Sequence, residues 1–234
     1  MKNLVNFTEA KRSSARITSD KPLLVTIAVD TSGTMIGFER SIQDMIAQIC
    51  SELKKNAETA SHVELCVVLF DDDPYVYVPF SNVEDVLITD GAFDCGGMTS
   101  THAAVNFCIN ELNARILEYK DAKVPCYKPY FFLISDGQSN DDDNGEYGKL
   151  LDMQRKKKVD FIPIGLGDQV DFDELRSMHV EGLCLSADKN DFSGIIKLVT
   201  MSCSSSLNPD TAGMIESCSS TLGAVKKGQI SLIG

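Results

Sequence analysis

The chain has 234 residues, of which 43% are hydrophobic, and its formal net charge is −12. This length suffices for one sizeable core, whereas the negative charge argues against binding to nucleic acid or an anionic membrane, because no basic face offsets phosphate repulsion. No apolar run approaches the roughly 20 residues of a membrane-spanning helix. We therefore predict a protein that binds neither nucleic acid nor membrane.

The first twenty residues and the cysteines bear on the cellular compartment. Residues 1–20 contain no long apolar segment and no cleavage pattern of the secretory type. No CxxC pair is present, which argues against a zinc ribbon or a thioredoxin-like redox site. Four of the eight cysteines lie in apolar patterns, where a thiol acts as a small hydrophobe: Cys50, Cys66, Cys108 and Cys184. These features predict a cytoplasmic protein.

Hydrophobic periodicity divides the chain into an arm over residues 1–20, one domain over residues 21–203 and a tail over residues 204–234. Within the domain, strands are predicted at 23–29, 62–70, 75–80, 130–134, 159–165 and 182–185. Helices are predicted at 39–56, around 104–117, and at 149–158, 171–178 and 192–203, with a small helix in the tail at 212–217.

The order of these elements indicates an α/β fold. Helices alternate with strands, which is typical of a doubly wound, mostly parallel sheet with right-handed crossovers and helices on both faces. The first strand is apolar throughout, as a central parallel strand is. The strand at 75–80 alternates and contains Pro79, so we expect it to be antiparallel at one edge of the sheet.

Polar side chains follow the first strand directly. Asp30 lies at its carboxyl end, and Ser32 and Thr34 follow two and four positions later. Ligands bind at this edge of open α/β sheets, and a carboxylate with hydroxyls suits a hard divalent ion such as Mg²⁺. The alternative hypothesis is a turn whose short side chains cap the next helix.

A second carboxylate, Asp136, follows the strand at 130–134. Because the first strand is predicted to be central, we expect the two strand ends to be neighbours and Asp30 to converge with Asp136. The glycine-containing segment 94–101 lies between them in the sequence, and its hydroxyls are able to cap a helix or reach a metal. His102 is predicted to be a partly exposed residue of the first helical turn. Convergence of the carboxylates favours the metal hypothesis over the capping one.

Three motifs in this order resemble the metal-ion-dependent adhesion site (MIDAS) of von Willebrand factor A domains: Asp30-Thr31-Ser32-Gly33-Thr34, Gly96-Gly97-Met98-Thr99 and Ile134-Ser135-Asp136-Gly137. The resemblance spans residues 22–203 and implies a Rossmann-like fold with metal ligands at Asp30, Ser32, Thr34, Thr99 and Asp136. It also implies that an Asp or Glu carboxylate of a protein partner takes the open coordination position. The expected ion is Mg²⁺, with Mn²⁺ or Ca²⁺ as alternatives.

The chain departs from the family pattern in two places. Thr34 stands where the family most often has Ser, which preserves the hydroxyl. Met98 separates the glycine pair from Thr99, which leaves Ser100 and Thr101 as alternative ligands. The sequence around the strand at 130–134 and the ending Cys203-Ser204-Ser205-Ser206 also resemble the compact bacterial branch associated with tellurite-resistance gene clusters.

The predicted function is metal-dependent protein–protein interaction without catalysis, by a monomer or a member of a hetero-complex. The competing hypothesis is a Mg²⁺-dependent phosphohydrolase of the haloacid-dehalogenase type with Asp30 as nucleophile. Enzymes of this type have a second acidic motif later in the chain, which is loosely similar to Gly167, Asp168, Asp171 and Asp173. Such enzymes generally need a second Asp two residues after the first as general acid, and Ser32 occupies that position. A third hypothesis is a scaffold whose site is vestigial.

Another acidic group lies outside these motifs and consists of Asp71, Asp72, Asp73 and Asp94. We expect a solvated acidic turn there, with a second bound ion as the alternative.

Overall fold

The structure is a computed structural model that describes residues 17–88 and 93–208 together with two short strands at 224–226 and 229–230. The predicted helix at 212–217 and residues 1–16 of the predicted arm lie outside the described residues. Among the described helices, none is long and apolar enough to cross a membrane.

The strands of the described chain form one sheet in the order β3-β2-β1-β4-β5-β6-β7-β8. They are β1 (Leu23–Asp30), β2 (Val63–Phe70), β3 (Pro74–Asn82), β4 (Tyr130–Ser135), β5 (Asp160–Leu166), β6 (Cys184–Ala187), β7 (Ala224–Lys226) and β8 (Gln229–Ile230). β1 pairs in parallel with both β2 and β4, and the parallel pairing continues through β5 to β6. The prediction of a doubly wound, mostly parallel sheet with a central first strand is confirmed.

Helices cover both faces of this sheet: α1 (Glu39–Lys54), α2 (Ala57–His62), α3 (Thr101–Asp121), α4 (Glu146–Arg155), α5 (Phe172–Ser177) and α6 (Ser193–Leu207). α1 and α6 pack on one face, against Val25, Ile27 and Val29 of β1. α3, α4 and α5 pack on the other face, on the side of Leu24 and Ala28. β1 is therefore buried on both sides, as its continuous apolar sequence predicts.

Some elements differ from the prediction. β3 is antiparallel to β2 as expected, but β7 and β8 add two further antiparallel strands beyond β6, in a part of the tail with little periodicity. α2 was not predicted because it is short and has few apolar residues; the Asn56 side chain caps it by accepting from the backbone N–H groups of Glu58 and Thr59. α6 continues to Leu207, so the predicted boundary at residue 203 falls inside this helix.

The parallel pairing positions the site. Because β1, β2, β4, β5 and β6 run in the same direction, their carboxyl ends lie at one edge of the sheet. The connections that leave these ends therefore form a single surface, which is where open α/β sheets bind ligands.

Candidate metal centre

Adjacent strands deliver the two predicted carboxylates. Asp30 is the last residue of β1, and Asp136 directly follows Ser135, the last residue of β4. The strands are paired in register, with Val29 opposite Ile134. Both side chains are buried, with 0% of Asp30 and 3% of Asp136 exposed. Two aspartates more than a hundred positions apart in the chain thus lie side by side at the edge of the sheet.

The hydroxyl residues after β1 connect these carboxylates. The Ser32 backbone N–H donates to Asp30 Oδ1 at 2.9 Å, and the Thr34 hydroxyl donates to Asp136 Oδ2 at 2.7 Å. The hydroxyls of Ser32 and Thr34 are 3.3 Å apart. Ser32 is at the N-cap of the short 3₁₀ turn Gly33–Met35 but makes no side-chain capping bond. The capping hypothesis therefore does not account for the Ser32 and Thr34 hydroxyls, which point to each other and to Asp136.

Backbone hydrogen bonds hold the third segment beside the first. The Gly96 N–H donates to the Thr31 carbonyl at 2.8 Å, and the Gly33 N–H donates to the Gly97 carbonyl at 3.1 Å. Gly97 has φ +79°, which favours glycine, and a Cβ built on it would lie 2.9 Å from Oδ2 of the Asp72 side chain, which would have to move. The glycines predicted to permit a close approach thus meet another part of the protein.

Three hydroxyl residues compete for the ligand position after Met98. The Ser100 hydroxyl donates to the Asp72 carbonyl at 2.8 Å, and Thr101 is the buried first residue of α3. Thr99 is only 4% exposed and lines the same pocket as Ser32 and Thr34. Within the described residues, the Thr99 hydroxyl has no hydrogen-bond partner. The Thr101 hydroxyl is also without a partner among these residues, but it is buried and Thr101 does not line the pocket. Of the three residues only Thr99 lines the pocket, so the geometry favours Thr99 as the proposed ligand.

The pocket between these segments has a volume of about 210 Å³ and is open to solvent. Its lining is made of hydroxyl, amide and glycine residues: Ser32, Gly33, Thr34, Gly97, Thr99, Gln138 and Asn140. A larger groove of about 490 Å³ lies around Arg176 and shares only Gln138 with it. None of the predicted site residues lines that groove.

The electrostatics of the site favour a cation. Burial raises the pKa of Asp30 above its ordinary value, against the hydrogen bonds from Ser32 and Ser135, and the nearby Asp136 carboxylate raises it further. Neither aspartate forms an ion pair with a Lys or Arg of the described residues. Two buried carboxylates with three hydroxyls and no counter-charge form an oxygen-only donor set, which fits a hard divalent ion.

Several residues that support the site were not assigned a role from the sequence. Ser135 donates its hydroxyl to Asp30 Oδ2 at 2.7 Å. The Asn140 side chain accepts from the Thr99 backbone N–H at 3.0 Å, and the Asn140 backbone N–H donates to the Thr99 carbonyl at 2.8 Å. The Asp141 side chain accepts from the backbone N–H groups of His102 and Ala103 and thereby caps α3. The sequence feature that could have indicated these roles is the run of Ser, Asp and Asn residues at and after the end of β4.

Two other expectations concern residues near the site. His102 is not partly exposed as predicted: it is buried, hydrogen bonded to Asp141 and stacked on Tyr147 at 4.2 Å between ring centroids. Within the described residues, no group of three or more His, Cys, Asp or Glu is arranged to hold a metal. The acidic turn at residues 71–73 therefore does not form a carboxylate cluster of that kind with Asp94.

Two aspartates of the acidic motif that the phosphohydrolase hypothesis needs make structural contacts away from Asp30. The Asp171 carboxylate caps α5 by accepting from the backbone N–H groups of Asp173 and Glu174. Asp173 pairs with Arg176 at 3.0 Å. Neither side chain lines the pocket beside Asp30.

Comparisons with known proteins identify the family of the domain. The family model of the von Willebrand factor type A domain matches residues 25–200. A curated relative, the collagen alpha-1(XXI) chain of Xenopus laevis, is 29% identical over 116 residues, which are 48% of this chain and 11% of that one. The chain thus spans only a small part of this relative's length.

Solved structures show the same fold. Proximal thread matrix protein 1 from the mussel byssus superposes with a TM-score of 0.55 at 16% identity, over 79% of this chain and 49% of that one. A second structure of the mussel protein, with a zinc-occupied MIDAS motif, has a TM-score of 0.52 at 16% identity and covers 80% and 47%. The chain spans about half of the mussel protein.

Proposed function

The chain belongs to the von Willebrand factor type A domain family, and on this premise we propose that it is a metal-dependent protein-binding module and not an enzyme. One observation carries the proposal: two buried carboxylates without a Lys or Arg partner among the described residues lie at the carboxyl edge of the sheet, and the Thr34 hydroxyl joins one of them to an open pocket that Ser32, Thr34 and Thr99 line. Such an arrangement is suited to binding an ion that itself binds a partner.

Each predicted ligand has a defined part in this proposal. Asp30, Ser32, Thr34, Thr99 and Asp136 would hold the ion, directly or through water, and Ser135 and Asn140 would orient Asp30 and Thr99. The bound ion would supply a positive charge that accepts one carboxylate oxygen. Because only two ligands are charged, the ion keeps enough charge to attract an Asp or Glu of a partner.

The kind of ion is part of the proposal. The mussel relative holds zinc in its MIDAS motif, which supports a divalent metal. We propose Mg²⁺ for this chain because every candidate ligand is an oxygen and no thiol or imidazole lines the pocket. Mn²⁺ and Ca²⁺ are the alternatives, and the order of their affinities is measurable by calorimetry.

The setting of the protein is also proposed. Seven cysteines of the described residues carry free thiols, and burial raises the pKa of Cys66, Cys108 and Cys203 far enough to keep them protonated. This supports a reducing compartment such as the cytoplasm. The sequence layout around β4 supports a role in a bacterial tellurite-resistance or stress system, as a monomer or within a hetero-complex. Fractionation of the source cells tests the location.

The function is tested by metal-dependent capture. Wild-type protein and Asp30→Ala are immobilised and exposed to proteins of the source cell in Mg²⁺, and bound proteins are released with EDTA. We expect a specific partner on the wild type alone, with circular dichroism showing that Asp30→Ala is folded. Capture that persists in EDTA or in Asp30→Ala contradicts the proposal. Turnover of a generic phosphate ester with Mg²⁺ that is lost in Asp30→Asn would support the phosphohydrolase instead.

A further inference from the structure

The surface around the pocket is acidic to an unusual degree. The segments at the carboxyl edge of the sheet are residues 30–38, 71–73, 93–100, 136–145, 167–171 and 188–192. Together they contain thirteen aspartates, one lysine and neither Glu nor Arg. None of the thirteen forms an ion pair with a Lys or Arg of the described residues. Asp141 is paired with His102 at 3.0 Å, and the buried Asp30 and Asp136 are the proposed metal ligands. The remaining ten aspartates leave this face with an excess of negative charge.

Several cations of the described residues lie at the opposite edge, where helices end. Lys54 and the C-cap Lys55 are at the end of α1, Lys120 lies in the last turn of α3, and the basic residues 155–158 begin at the last residue of α4. Several of them pair with nearby acids, such as Lys55 with Glu52 and Lys156 with Asp152. The field at the candidate metal centre is consequently negative, although the ligand proposed for the metal is itself an anion.

The single rim cation does not offset this field. Lys189 lays its stem across Gly167, where a Cβ would meet the lysine Cε at 2.6 Å, and its ammonium donates to the Thr34 carbonyl at 3.1 Å. It therefore contributes one charge on the β6 side, between Asp188 and Asp191 in the sequence. The β2 side carries residues 71–73 without a cation.

Two features show that this face is built to receive a ligand. Thr99 lines the pocket and is almost fully buried, yet its hydroxyl has no hydrogen-bond partner among the described residues. Two large apolar side chains are exposed in the segments that line the pocket: Met98 is 56% exposed and precedes Thr99 in the sequence, and Ile36 is 63% exposed two residues after Thr34. Exposed apolar side chains around a polar centre are typical of a contact surface.

We propose, resting on the function proposed above, that the partner presents its single metal-binding carboxylate within a cationic segment. The Asp or Glu reaches the ion, flanking Lys or Arg side chains face the aspartates of the rim, and their aliphatic stems lie on Met98 and Ile36. An acidic segment with the same carboxylate is repelled by the rim. The acidic rim thus selects among partners that all carry a carboxylate.

Designed peptides test this selection. Each capped and fluorescently labelled peptide has one central Asp flanked on both sides by Lys, by Ser or by Glu, and anisotropy is measured with the full chain in Mg²⁺ at low and high ionic strength. We expect the Lys-flanked peptide to bind at least about tenfold more tightly than the Glu-flanked one. The ratio should shrink as salt screens the rim, and binding should be lost in EDTA.

Variants of matched charge locate the effect. Asp73→Asn, Asp142→Asn and Asp168→Asn together remove exposed rim carboxylates that make no side-chain hydrogen bond with described residues. The control combines Glu84→Gln, Asp85→Asn and Asp121→Asn, which remove the same charge at the opposite edge. We expect the rim variant to lose most of the preference for Lys and the control variant to retain it.

Two outcomes would overturn the inference without contradicting the proposed function, and a third would contradict the function itself. If calorimetry shows metal binding but the three peptides bind equally, the rim does not select the partner. If a Lys-flanked peptide with Asn in place of Asp binds as well, or binds in EDTA, the rim only collects cations. If neither metal nor any peptide binds, the proposed function itself has failed.

Discussion

The hydroxyl of Thr34 donates to Asp136 Oδ2 at 2.7 Å, although the two residues are 102 positions apart in the chain. This bond joins the turn after β1 to the end of β4 and brings one hydroxyl of the first motif onto the carboxylate of the third. The family resemblance predicts that both are ligands of one ion, so the bond connects two parts of one proposed coordination sphere.

Removing the Thr34 hydroxyl should weaken metal binding. Thr34→Val deletes a proposed ligand and leaves Asp136 Oδ2 without its donor, so we expect a loss of about 10–100-fold in Mg²⁺ affinity, measured by calorimetry. Thr34→Ser keeps the hydroxyl and should bind within a few-fold of the wild type. Equal affinity of the two variants would show that this hydroxyl takes no part in binding.

The charge of Asp30 should destabilise the metal-free protein. Its pKa is raised on folding, mainly by burial, so the folded state holds its proton more firmly than the unfolded state does. Stability that is present below the unfolded pKa of about 3.9 is therefore lost as pH rises through the folded pKa. We expect metal-free Asp30→Asn to lose less stability than the wild type over this range, in urea unfolding at a series of pH values.

Bound metal should make the wild type more stable than Asp30→Asn, the reverse of the order expected without metal. At a concentration about 100-fold above its Kd, an ion that binds only the folded state adds about 2.7 kcal/mol to the free energy of unfolding. We expect this gain for the wild type and none for Asp30→Asn, measured by thermal unfolding with and without Mg²⁺. A similar gain in both proteins would place the ion somewhere other than beside Asp30.

Asn140 should act through Thr99. The Asn140 side chain accepts from the Thr99 backbone N–H, whereas the bond to the Thr99 carbonyl comes from the Asn140 backbone and survives any substitution of the side chain. Asn140→Leu should therefore leave the Thr99 N–H without its acceptor, shift the Thr99 hydroxyl and weaken metal binding by about tenfold. In a Thr99→Val background the same change should have little further effect, which a double-mutant cycle measures. Gln138→Ala is the control, since Gln138 lines the pocket and its side-chain amide donates to the Gln169 carbonyl, not to Thr99. Additive losses would mean that Asn140 acts independently of Thr99.

Replacing Gly97 should lower the free energy of unfolding for two reasons that can be measured separately. Gly97→Ala places a Cβ 2.9 Å from Asp72 Oδ2 at φ +79°, whereas Gly37→Ala, at φ +91°, meets nothing within 4 Å. Gly37→Ala should lose only the backbone term, about 1–2 kcal/mol, in urea unfolding. Gly97→Ala should lose more and should also lower metal affinity, because the strained segment carries Thr99. Equal losses would show that the contact with Asp72 has no effect.

Much of the fold follows from the sequence because apolar runs and helical periodicity are local signals. The apolar run of β1 predicts a strand that is covered on both faces, and all eight of its residues are buried inside the sheet. α2 escaped prediction because its stability comes from the Asn56 cap and tertiary packing. β7 and β8 escaped it because two or three residues form no pattern, and their pairing depends on the edge left open by β6.

The site divides in the same way. Asp30 and Asp136 were expected to converge because strand order follows from connection rules, and the resemblance supplied Thr99 as a candidate. The contacts of Asn140 and His102 were not expected, because they depend on how the segment after β4 folds over the start of α3. Such loop-to-loop hydrogen bonds leave no periodic trace in a single sequence.

The central claim is that one divalent ion lies between Asp30 and Asp136 among the hydroxyls of Ser32, Thr34 and Thr99. Anomalous difference density from a crystal grown with Mn²⁺ tests it most directly. We predict one strong peak in the pocket, with protein or water oxygens at about 2.0–2.2 Å as in octahedral sites of this kind. A pocket without a peak under saturating metal, or a peak bound only by other residues, would contradict the account.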